Sequence, residues 1–441
     1  MAMAPEECDV AVIGGGPAGS TAAALLARRG YKVIALEKAR HPRFHIGESL
    51  LPMNLPLFER LGVLHKVRAL GVFKAGADFE ADNERGYNTF AFARAIGKSP
   101  PHAYQVWRQD FDRMLYEHAR DCGADAREGH EVLAAGQSGP RATRLEVRTD
   151  DGGSYFIQAR YLVDASGRDA FLAARRKLRR KNRRHQSAAI FGHFRGAQAR
   201  LGEDAGNISI YRFDHGWMWM IPLPDGVMSV GAVCRPEYLK QRRGRTVEYL
   251  LGTLKQNQRL WQRMQHAALI GEVRVTGNYS YDSTCMGGPG WVLVGDAFAF
   301  LDPVFSSGVY LAMSGAETAA AVVDAALREP QREKTLLRKL ENRQRAGMQR
   351  FSFFIYRFNG PVMQQMFRQP RNTWQLEQGV ISMLAGDLFD TPKVLRRLRV
   401  FKLVYAIAGL RNFRRWRAEH QYRLAQARAQ FTGGTTPQDV V

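Results

Sequence analysis

A glycine-rich turn stands close to the start of the chain. Residues 14–19 read Gly-Gly-Gly-Pro-Ala-Gly and fit the pattern G-x-G-x-x-G. Gly14 permits a tight turn, Gly16 lets a pyrophosphate approach the backbone, and Gly19 lets a helix pack closely on the preceding strand. The helix N-terminus around Ala18 adds N–H groups that favour phosphates. The turn therefore predicts a dinucleotide-binding site.

Two carboxylates are placed to hold the sugar part of such a ligand. Glu37 follows Gly14 by 23 residues, at the end of the next apolar run. A carboxylate at that point can accept hydrogen bonds from ribose hydroxyls. Asp296 ends the apolar run that starts at Trp291, where it can hold a ribityl hydroxyl of a flavin. A second G-x-G-x-x-G after a strand is absent from the sequence, so we expect no separate nicotinamide site.

One lysine and two tryptophans suggest reaction chemistry. Lys74 lies between Phe73 and Phe79, which favours a sheltered setting, and a partly desolvated ammonium has a lowered pKa and becomes reactive. A surface lysine is the alternative. Trp217 and Trp219 are two positions apart in an apolar run, so both indoles point to the same face of a strand. They either wall off a compartment or fill a sheet core.

The elements around these residues follow from the apolar pattern. The spacing predicts a strand over 9–13, a helix over 18–29 capped by Gly30, and a strand over 31–36, which is one βαβ unit. A hairpin over 144–163, a strand-rich stretch over 188–234, a strand over 291–294 and helices over 306–327 and 340–430 follow. The fold class is therefore α/β (α+β overall), with a βαβ start, a strand-rich middle and a helical C-terminal region.

Composition and charge limit the possible functions. The chain has 441 residues, of which 45% are hydrophobic and 24% are charged, so a globular fold is expected. The sequence has no apolar run of membrane-spanning length and no secretion signal, and its four cysteines are far apart, so we expect a cytoplasmic protein without a metal site. The formal charge of +22 implies an acidic partner.

Taken together, the turn, the strand that ends in Asp164 and the strand before Asp296 resemble the FAD-dependent monooxygenase-like superfamily. Three further segments resemble flavin-dependent halogenases: residues 42–49 (Pro-Arg-Phe-His-Ile-Gly-Glu-Ser), residues 217–222, which fit W-x-W-x-I-P, and residues 73–79 around Lys74. This resemblance implies a Rossmann-type FAD-binding domain with an interleaved antiparallel-sheet substrate domain. It also implies that reduced FAD, O2 and a halide ion are used to halogenate an aromatic ring.

The resemblance also implies roles for individual residues. Lys74 would deliver the halogen, either by hydrogen-bonding hypohalous acid or as a haloamine, while Trp217 and Trp219 would separate the flavin from the substrate. The FAD-binding residues would be Gly14, Gly16, Ala18, Gly19, Glu37, Glu48, Ser49, Arg108, Asp296, Pro303, Ser307 and Gly308. The substrate and halide would lie near Phe305, Ser306, Ser307 and Gly308.

Some of these roles have structural alternatives. Glu48 and Ser49 are expected to cap the next helix and lie near the flavin ring, and a plain capping pair is the alternative. Arg108 could instead pair only with Asp110 or Asp112. Scattered histidines such as His193 are expected to be structural. Tryptophan halogenases carry a glutamate where this chain has Phe305, which favours a phenol or pyrrole as substrate over free tryptophan.

The predicted organisation interleaves three parts. FAD-binding segments are expected at 5–72, 107–187 and 289–340, substrate-side segments at 73–106 and 188–288, a basic helical region at 341–431 and a disordered tail at 432–441. The aromatic stretch 351–358 is expected to cover the substrate opening or to form an oligomer contact, and a core helix is the alternative.

Two segments supply most of the net positive charge. Residues 175–184 hold eight basic residues, and residues 396–428 hold ten against one acid. Either segment could face only solvent, dock an acyl carrier protein that bears the aryl substrate, or lie on an anionic membrane at its inner face. Nucleic acid is the least supported partner, because no nucleic-acid-binding motif accompanies the charge.

The resemblance also implies a separate flavin reductase as a partner. A further resemblance, to halogenase-like proteins of aryl-polyene pigment pathways, implies carrier-linked hydroxyaryl chains. The alternatives are an aromatic hydroxylase, a polyene or isoprenoid reductase, and a flavin-containing scaffold protein at a membrane.

Overall fold

The structure is a computed structural model that describes residues 4–84, 86–139, 141–182, 186–277, 280–411 and 417. Within these residues the strands β1 to β20 are, in chain order, Glu6–Ile13, Val33–Glu37, Gly71–Lys74, Gly76–Glu80, Tyr87–Ala91, Ala103–Val106, Asp125–Glu128, His130–Gly139, Ala142–Thr149, Ser154–Asp164, Arg179–Lys181, Ala188–Arg195, Ile208–Phe213, Gly216–Pro222, Val227–Cys234, Ala268–Gly277, Tyr281–Ser283, Gly287–Gly288, Trp291–Leu293 and Ala299–Phe300. The helices α1 to α13 of the same residues are Pro17–Ala27, Leu55–Leu61, Leu64–Leu70, Arg108–Asp121, Phe171–Arg175, Pro236–Lys240, Thr246–Leu254, Gln258–Met264, Gly308–Arg328, Glu333–Ile355, Pro361–Arg368, Leu376–Leu384 and Pro392–Arg411.

The first sheet has a parallel centre. Its strand order is β18-β19-β10-β1-β2-β7, and the hairpin β8–β9 joins it through β10. β1 pairs in parallel with both β2 and β10, and its residues from Val10 to Ile13 are buried. Burial on both faces explains why this strand is an unbroken apolar run. The carboxyl ends of β1, β2, β10 and β19 meet at one edge, where ligands of such sheets bind.

The second sheet has the order β16-β12-β15-β14-β13-β4-β5. Its neighbouring strands are antiparallel except for β13 and β4, which run in parallel. It joins strands from 76–91 to strands from 188–277, as the resemblance implied. The domain boundaries themselves remain a prediction.

The two faces of the second sheet bury different clusters. On β14, Trp217 and Trp219 belong to the main core that is shared with the first sheet. Met218 and Met220 point the other way, into a smaller cluster with residues of α7 and α8. The period of two in a strand produces this division. The prediction that both indoles share a face is therefore confirmed.

The α/β class and the βαβ start are confirmed, with shifts at the element ends. Helix α1 ends at Ala27 instead of residue 29, and Gly30, with φ at +86°, lies in the following turn rather than at the C-cap. The aromatic stretch 351–358 is part of the core, since Phe351, Phe354 and Phe358 are buried. The predicted tail 432–441 lies outside the described residues.

One residue links helix α8 to strands β4 and β13 of the second sheet. The Asn257 side chain accepts a hydrogen bond from Leu260 N at 2.9 Å and so caps α8. Its amide donates to both oxygens of Glu80 at 3.0 and 2.9 Å and to the Arg212 carbonyl at 3.0 Å. A buried cap with this many bonds contributes more than an exposed one.

We therefore expect Asn257→Ala to lower the free energy of unfolding by about 2 kcal/mol, because it removes the cap and leaves the partly buried Glu80 Oε1 without its donor. Urea unfolding followed by circular dichroism measures this. Gln256→Ala, at the exposed neighbouring position, is the matched control and should change the value by less than about 0.5 kcal/mol. Equal effects of the two variants would contradict the assignment.

Candidate cofactor and halogenation site

The glycine turn after β1 has the shape of a phosphate cradle. Gly14 has φ at +103°, and a Cβ on Gly19 would lie 1.8 Å from the Gly14 carbonyl oxygen. These two glycines are needed by the protein's own packing. A Cβ on Gly16 would meet only Arg43 Nη2, at 3.7 Å. The space beside Gly16 is therefore open on the side from which a ligand phosphate approaches.

Glu37 ends β2 next to this turn. Its Oε2 accepts hydrogen bonds from Gly15 N at 2.7 Å and from Arg43 Nη2 at 3.1 Å, and its Oε1 accepts from Ala39 N at 3.0 Å. These bonds fix the carboxylate at the edge of the sheet where a ribose would lie. The position agrees with the predicted role, although the bonds seen are all to the protein itself.

Arg108, at the start of α4, forms a buried ion pair. Its guanidinium donates to both Asp112 oxygens, at 2.9 and 3.0 Å, and to the Ile46 carbonyl at 2.7 Å. Burial alone would raise the pKa of Asp112, but Arg108 holds that pKa below its usual value. The pairing with Asp112 that we gave as the alternative is thus present. Contact with a cofactor stays a proposal.

Asp296 follows β19 at the same sheet edge. Burial raises the pKa of its half-buried carboxyl to about 6, although Arg108 and Arg168 act in the opposite direction. Within the described part of the chain its carboxylate receives no hydrogen bond, and only its backbone carbonyl accepts one, from the Tyr281 hydroxyl at 2.7 Å. A half-buried acceptor left without a donor fits a ligand hydroxyl.

Lys74 is the most unusual charged side chain of the site. It ends β3, is 1% exposed, and donates to Ser49 Oγ at 2.8 Å and to the Leu50 carbonyl at 3.0 Å. Burial lowers the pKa of its amine to about 7. The predicted sheltered setting is correct, but Phe73 does not provide it. Phe73 is 55% exposed because alternate residues of a strand face opposite ways.

A small apolar cavity lies beside Lys74. It leaves only about 10 Å³ for water-sized atoms, which is barely room for one water molecule. The lining residues are Leu51, Lys74, Ala77, Phe79, Phe92, Ile208, Ile210, Val304, Phe305, Ser306 and Leu384. The structure thus brings Lys74 together with the predicted residues Phe305 and Ser306, although these are more than 200 positions apart.

Aromatic rings close this cavity. The Phe305 ring lies 5.5 Å from that of Phe358 and 6.4 Å from that of Phe367, and Phe79 lies 4.8 Å from Phe367. Phe358 comes from the aromatic stretch whose role was left open, so this stretch packs both in the core and against the cavity wall. A planar substrate ring would need some of these side chains to move.

The two tryptophans lie outside this lining. Their ring centroids are 5.7 Å apart, and Trp219 packs on Phe191 at 5.8 Å. The Trp219 indole N–H donates to Ser229 Oγ at 3.2 Å. Both are buried side chains of the main core. A role as a wall between cofactor and substrate stays a proposal.

The segment before α9 is built as predicted. Helix α9 begins at Gly308, with Ser307 at its N-cap position, so backbone N–H groups are available there. Pro303 begins the preceding short turn, and Ser306 has φ at +55°. Asp302 fixes this turn by accepting from Val304 N at 3.1 Å and from Ser187 Oγ at 2.8 Å.

One expectation about the loop before α2 was wrong. Glu48 and Ser49 do not cap a helix, since neither the turn at residues 52–54 nor α2 has a capping bond from them. Glu48 Oε1 instead lies 2.5 Å from His193 Nε2, and Ser49 Oγ accepts from Lys74. His193, which we expected to be structural, thus pairs with a residue of the candidate site. No local sequence signal marks it, because its partner is 145 residues away.

Comparison with known proteins agrees with this geometry. The family model described as an FAD binding domain matches residues 7–353. A tryptophan 2-halogenase from Chondromyces crocatus is 38% identical over 325 residues, which cover 72% of this chain and 61% of that protein. A 1H-pyrrole-2-carbonyl-[peptidyl-carrier protein] chlorinase from Pseudomonas fluorescens is 28% identical over 425 residues, or 90% and 93% of the two chains.

Solved structures agree as well. A flavoprotein/dehydrogenase from Cytophaga hutchinsonii superposes with a TM-score of 0.84 at 27% identity, covering 92% of this chain and 100% of that one. The myxobacterial chondrochloren halogenase gives a TM-score of 0.75 at 32% identity, covering 92% and 91%. The fold and site thus define an FAD-dependent flavoenzyme.

Within that class, the chain belongs to the flavin-dependent halogenase family, whose members use FAD and a halide ion. It spans less than two thirds of the length of the tryptophan 2-halogenase. The residues present fit FAD: the open side of Gly16 suits the pyrophosphate, and the unbonded Asp296 carboxylate suits a flavin hydroxyl.

The described residues offer neither a metal-binding cluster nor a membrane-spanning helix. They contain no cluster of three or more His, Cys, Asp or Glu side chains that could bind a metal ion. None of the described helices combines the length and the apolar composition that a membrane crossing requires.

The glycine turn yields a paired prediction. Gly16→Ala should reduce FAD affinity about tenfold, because the new methyl group would occupy the space that the pyrophosphate needs. The apoprotein should stay as stable as before, because the methyl group has no close protein neighbour. Gly19→Ala should destabilise the apoprotein by about 1–3 kcal/mol, because its methyl group overlaps the Gly14 carbonyl. Fluorescence titration with FAD and thermal unfolding measure the two effects. Undiminished FAD affinity in Gly16→Ala would refute the cradle.

Proposed function

We propose that the chain is an FAD-dependent halogenase that attaches chlorine or bromine to an electron-rich phenolic or pyrrolic ring. The observation that carries this proposal is a buried lysine, Lys74, at the wall of an apolar cavity in a chain of the halogenase family. A separate flavin reductase supplies the reduced cofactor. Bound reduced FAD, with O2, supplies the oxidising chemistry that converts halide into hypohalous acid.

The protein's own residues have distinct tasks in this proposal. The turn residues Gly14, Gly16, Ala18 and Gly19, with Glu37, Glu48, Ser49, Arg108, Asp296, Pro303, Ser307 and Gly308, hold and orient the cofactor. The backbone N–H groups at the start of α9 hold the halide near Ser306. The indoles of Trp217 and Trp219 keep the substrate ring apart from the cofactor, which disfavours direct oxygenation.

Lys74 is the residue that presents the halogen. An ammonium has three N–H donors, and two of them are used by Ser49 and Leu50. The remaining donor is available to hydrogen-bond hypohalous acid in the cavity that Lys74 lines. Since the cavity wall is otherwise apolar apart from Ser306, this bond is stronger than it would be in solution.

The character of the cavity favours an activated ring. By the family resemblance, Phe305 stands where tryptophan halogenases carry a glutamate, and its ring packs among other phenylalanines. No carboxylate occurs among the residues that line the cavity. A phenol or pyrrole donates electrons into its own ring, so it needs less help from a protein base than an indole carbon does.

The structural likeness to a flavoprotein/dehydrogenase supports a second candidate. That candidate is an FAD-dependent enzyme that hydroxylates an aromatic ring or changes the saturation of a polyene chain without halogen. The two candidates differ in whether halide appears in the product.

We expect the wild-type protein, given reduced FAD, O2 and bromide, to add one bromine to a phenolic or pyrrolic substrate. Lys74→Ala should lower the yield of brominated product at least about 100-fold while oxidation of reduced flavin continues, because only halogen delivery is lost. Product mass and flavin absorbance are the measurements. A hydroxylated or reduced product without bromine would favour the second candidate, and full bromination by Lys74→Ala would remove this lysine from the reaction.

We further propose that the substrate is carried by an acyl carrier protein. The support is the similarity to a chlorinase of a carrier-bound pyrrole over nine tenths of the chain and the formal charge of +22. Part of this charge lies on α13, a helix without acidic residues that also exposes Leu403, Ile407 and Leu410. These apolar side chains suit an anionic lipid surface as well, so the two partners need separate tests.

If an acidic carrier docks on this surface, kcat/KM for a carrier-bound aryl substrate should fall about tenfold when salt is raised to ~0.5 M. The double variant Arg396→Glu/Arg399→Glu should cause a similar loss at low salt, and Arg175→Glu/Lys177→Glu tests the other basic segment in the same way. Free aryl acid is the control substrate and should show neither effect. A different outcome would assign the charge to a membrane. In that case the wild type pellets with anionic vesicles, the substitutions abolish this pelleting, and kcat/KM for the carrier-bound substrate does not change.

A further inference from the structure

The loop from Ile46 to Leu51 joins parts of the molecule that are far apart in sequence. The Ile46 carbonyl accepts from Arg108 of α4 on the FAD side. The Glu48 carbonyl accepts from Val106 N at 2.8 Å, and Leu50 N donates to the Tyr104 carbonyl at 3.0 Å. The loop is thus bound along its backbone to β6 and to the start of α4, so its side chains have fixed positions.

Ser49 is the loop residue that holds Lys74. Its buried hydroxyl accepts from Lys74 Nζ at 2.8 Å, and the neighbouring Leu50 carbonyl accepts from the same nitrogen at 3.0 Å. The nearby Phe92 ring is 5.3 Å from the nitrogen. Nearly all of the polar environment of this buried amine therefore comes from two consecutive residues of one loop. Acceptors of this kind favour the charged form of an amine.

The preceding residue, Glu48, fastens the loop from the opposite side. Its carboxylate is 1% exposed and meets His193 Nε2 on β12 at 2.5 Å. The His193 ring in turn packs on Trp107 at 4.7 Å. His193 of the second sheet thus holds the side chain of the residue next to Ser49. The other oxygen, Glu48 Oε2, is buried without a hydrogen-bond partner among the described residues.

We propose that Ser49 is a positioning residue for Lys74, and that the Glu48–His193 pair holds Ser49 in place from the second sheet. Ser49 fixes where the Lys74 nitrogen points and keeps it protonated, so that its free donor faces the cavity. Because Ser49 and Glu48 also lie in the proposed FAD-binding loop, cofactor and lysine are held by one element. The catalytic part of this inference rests on the proposed function. The hydrogen bonds between Ser49 and Lys74 do not depend on that function.

Lys74 itself reports on this arrangement without any turnover. In protein labelled with 13C at the lysine Cε, the Lys74 signal can be assigned with Lys74→Met and titrated by NMR without cofactor. Burial places the pKa of the wild-type amine near 7, so the ammonium is lost as pH rises through that value. Ser49→Ala should move this midpoint about one pH unit lower, because the ammonium loses an acceptor that the neutral amine needs less.

Activity provides the second readout. In Ser49→Ala, assayed with FAD at a saturating concentration, the ratio of halogenated product to flavin oxidised should fall at least about tenfold. Ser49→Thr keeps the hydroxyl and should restore both the ratio and the titration midpoint. His193→Ala, which removes the partner of Glu48 and not that of Lys74, should shift the midpoint in the same direction by a smaller amount.

A matched control is available in Ser209, a buried serine whose hydroxyl accepts from the Arg263 guanidinium at 2.8 Å. Ser209→Ala should leave the Lys74 midpoint and the product ratio unchanged. If Ser49→Ala does not fold, Ser49→Cys, which keeps the volume and weakens the acceptor, replaces it. A Lys74 midpoint that is the same in wild type, Ser49→Ala and Ser209→Ala would overturn the inference.

Different results would contradict the proposed function and the role of Ser49. If the wild type yields no halogenated product, the proposed function fails, yet the NMR titration still decides whether Ser49 controls Lys74. If the wild type halogenates but His193→Ala leaves the midpoint unchanged, the role of the Glu48–His193 pair is wrong while that of Ser49 stands.

Discussion

The burial of one ammonium group constrains the centre of this molecule. A charged amine away from water is costly unless it has hydrogen-bond acceptors. For Lys74 these acceptors are Ser49 Oγ and the Leu50 carbonyl, both in the loop that leads from the FAD-side sheet into α2. The loop must therefore lie against β3 with little freedom. The glycine turn, the loop and the cavity wall then have fixed positions relative to one another.

Some parts of this arrangement could be read from the sequence because they depend on local spacing. The glycines of residues 14–19 are required by contacts within the turn, such as that between Gly19 and the Gly14 carbonyl. Trp217 and Trp219 share a face because a strand repeats every two residues. The start of α9 at Gly308 follows from a polar turn before a long apolar-periodic stretch. Each signal lies within a few residues of the feature that it predicts.

Other parts depend on contacts between distant segments, and the sequence alone did not reveal them. Glu48 meets His193 because the loop passes next to β12 of the second sheet, and no pattern near either residue encodes that contact. The loop was expected to cap a helix because Glu-Ser before an apolar run has the composition of a cap. Phe73 and Phe79 were both expected to shelter Lys74; Phe79 lines the cavity, but Phe73 is exposed because neighbours in a strand face opposite sides.

The second sheet explains how a lysine near the start of the chain reaches residues near position 305. β4 begins two residues after Lys74 and pairs in parallel with β13, which places Ala77 beside Ile208. Ile208 and Ile210 then line the same cavity as Phe305 and Ser306. The apolar side chains of this wall come from six separate segments, and the amine of Lys74 is the only ionisable group among the residues that line it. A reaction in this cavity therefore has one ionisable side chain to orient and polarise the reactants. The substrate ring itself must supply the remaining electron density.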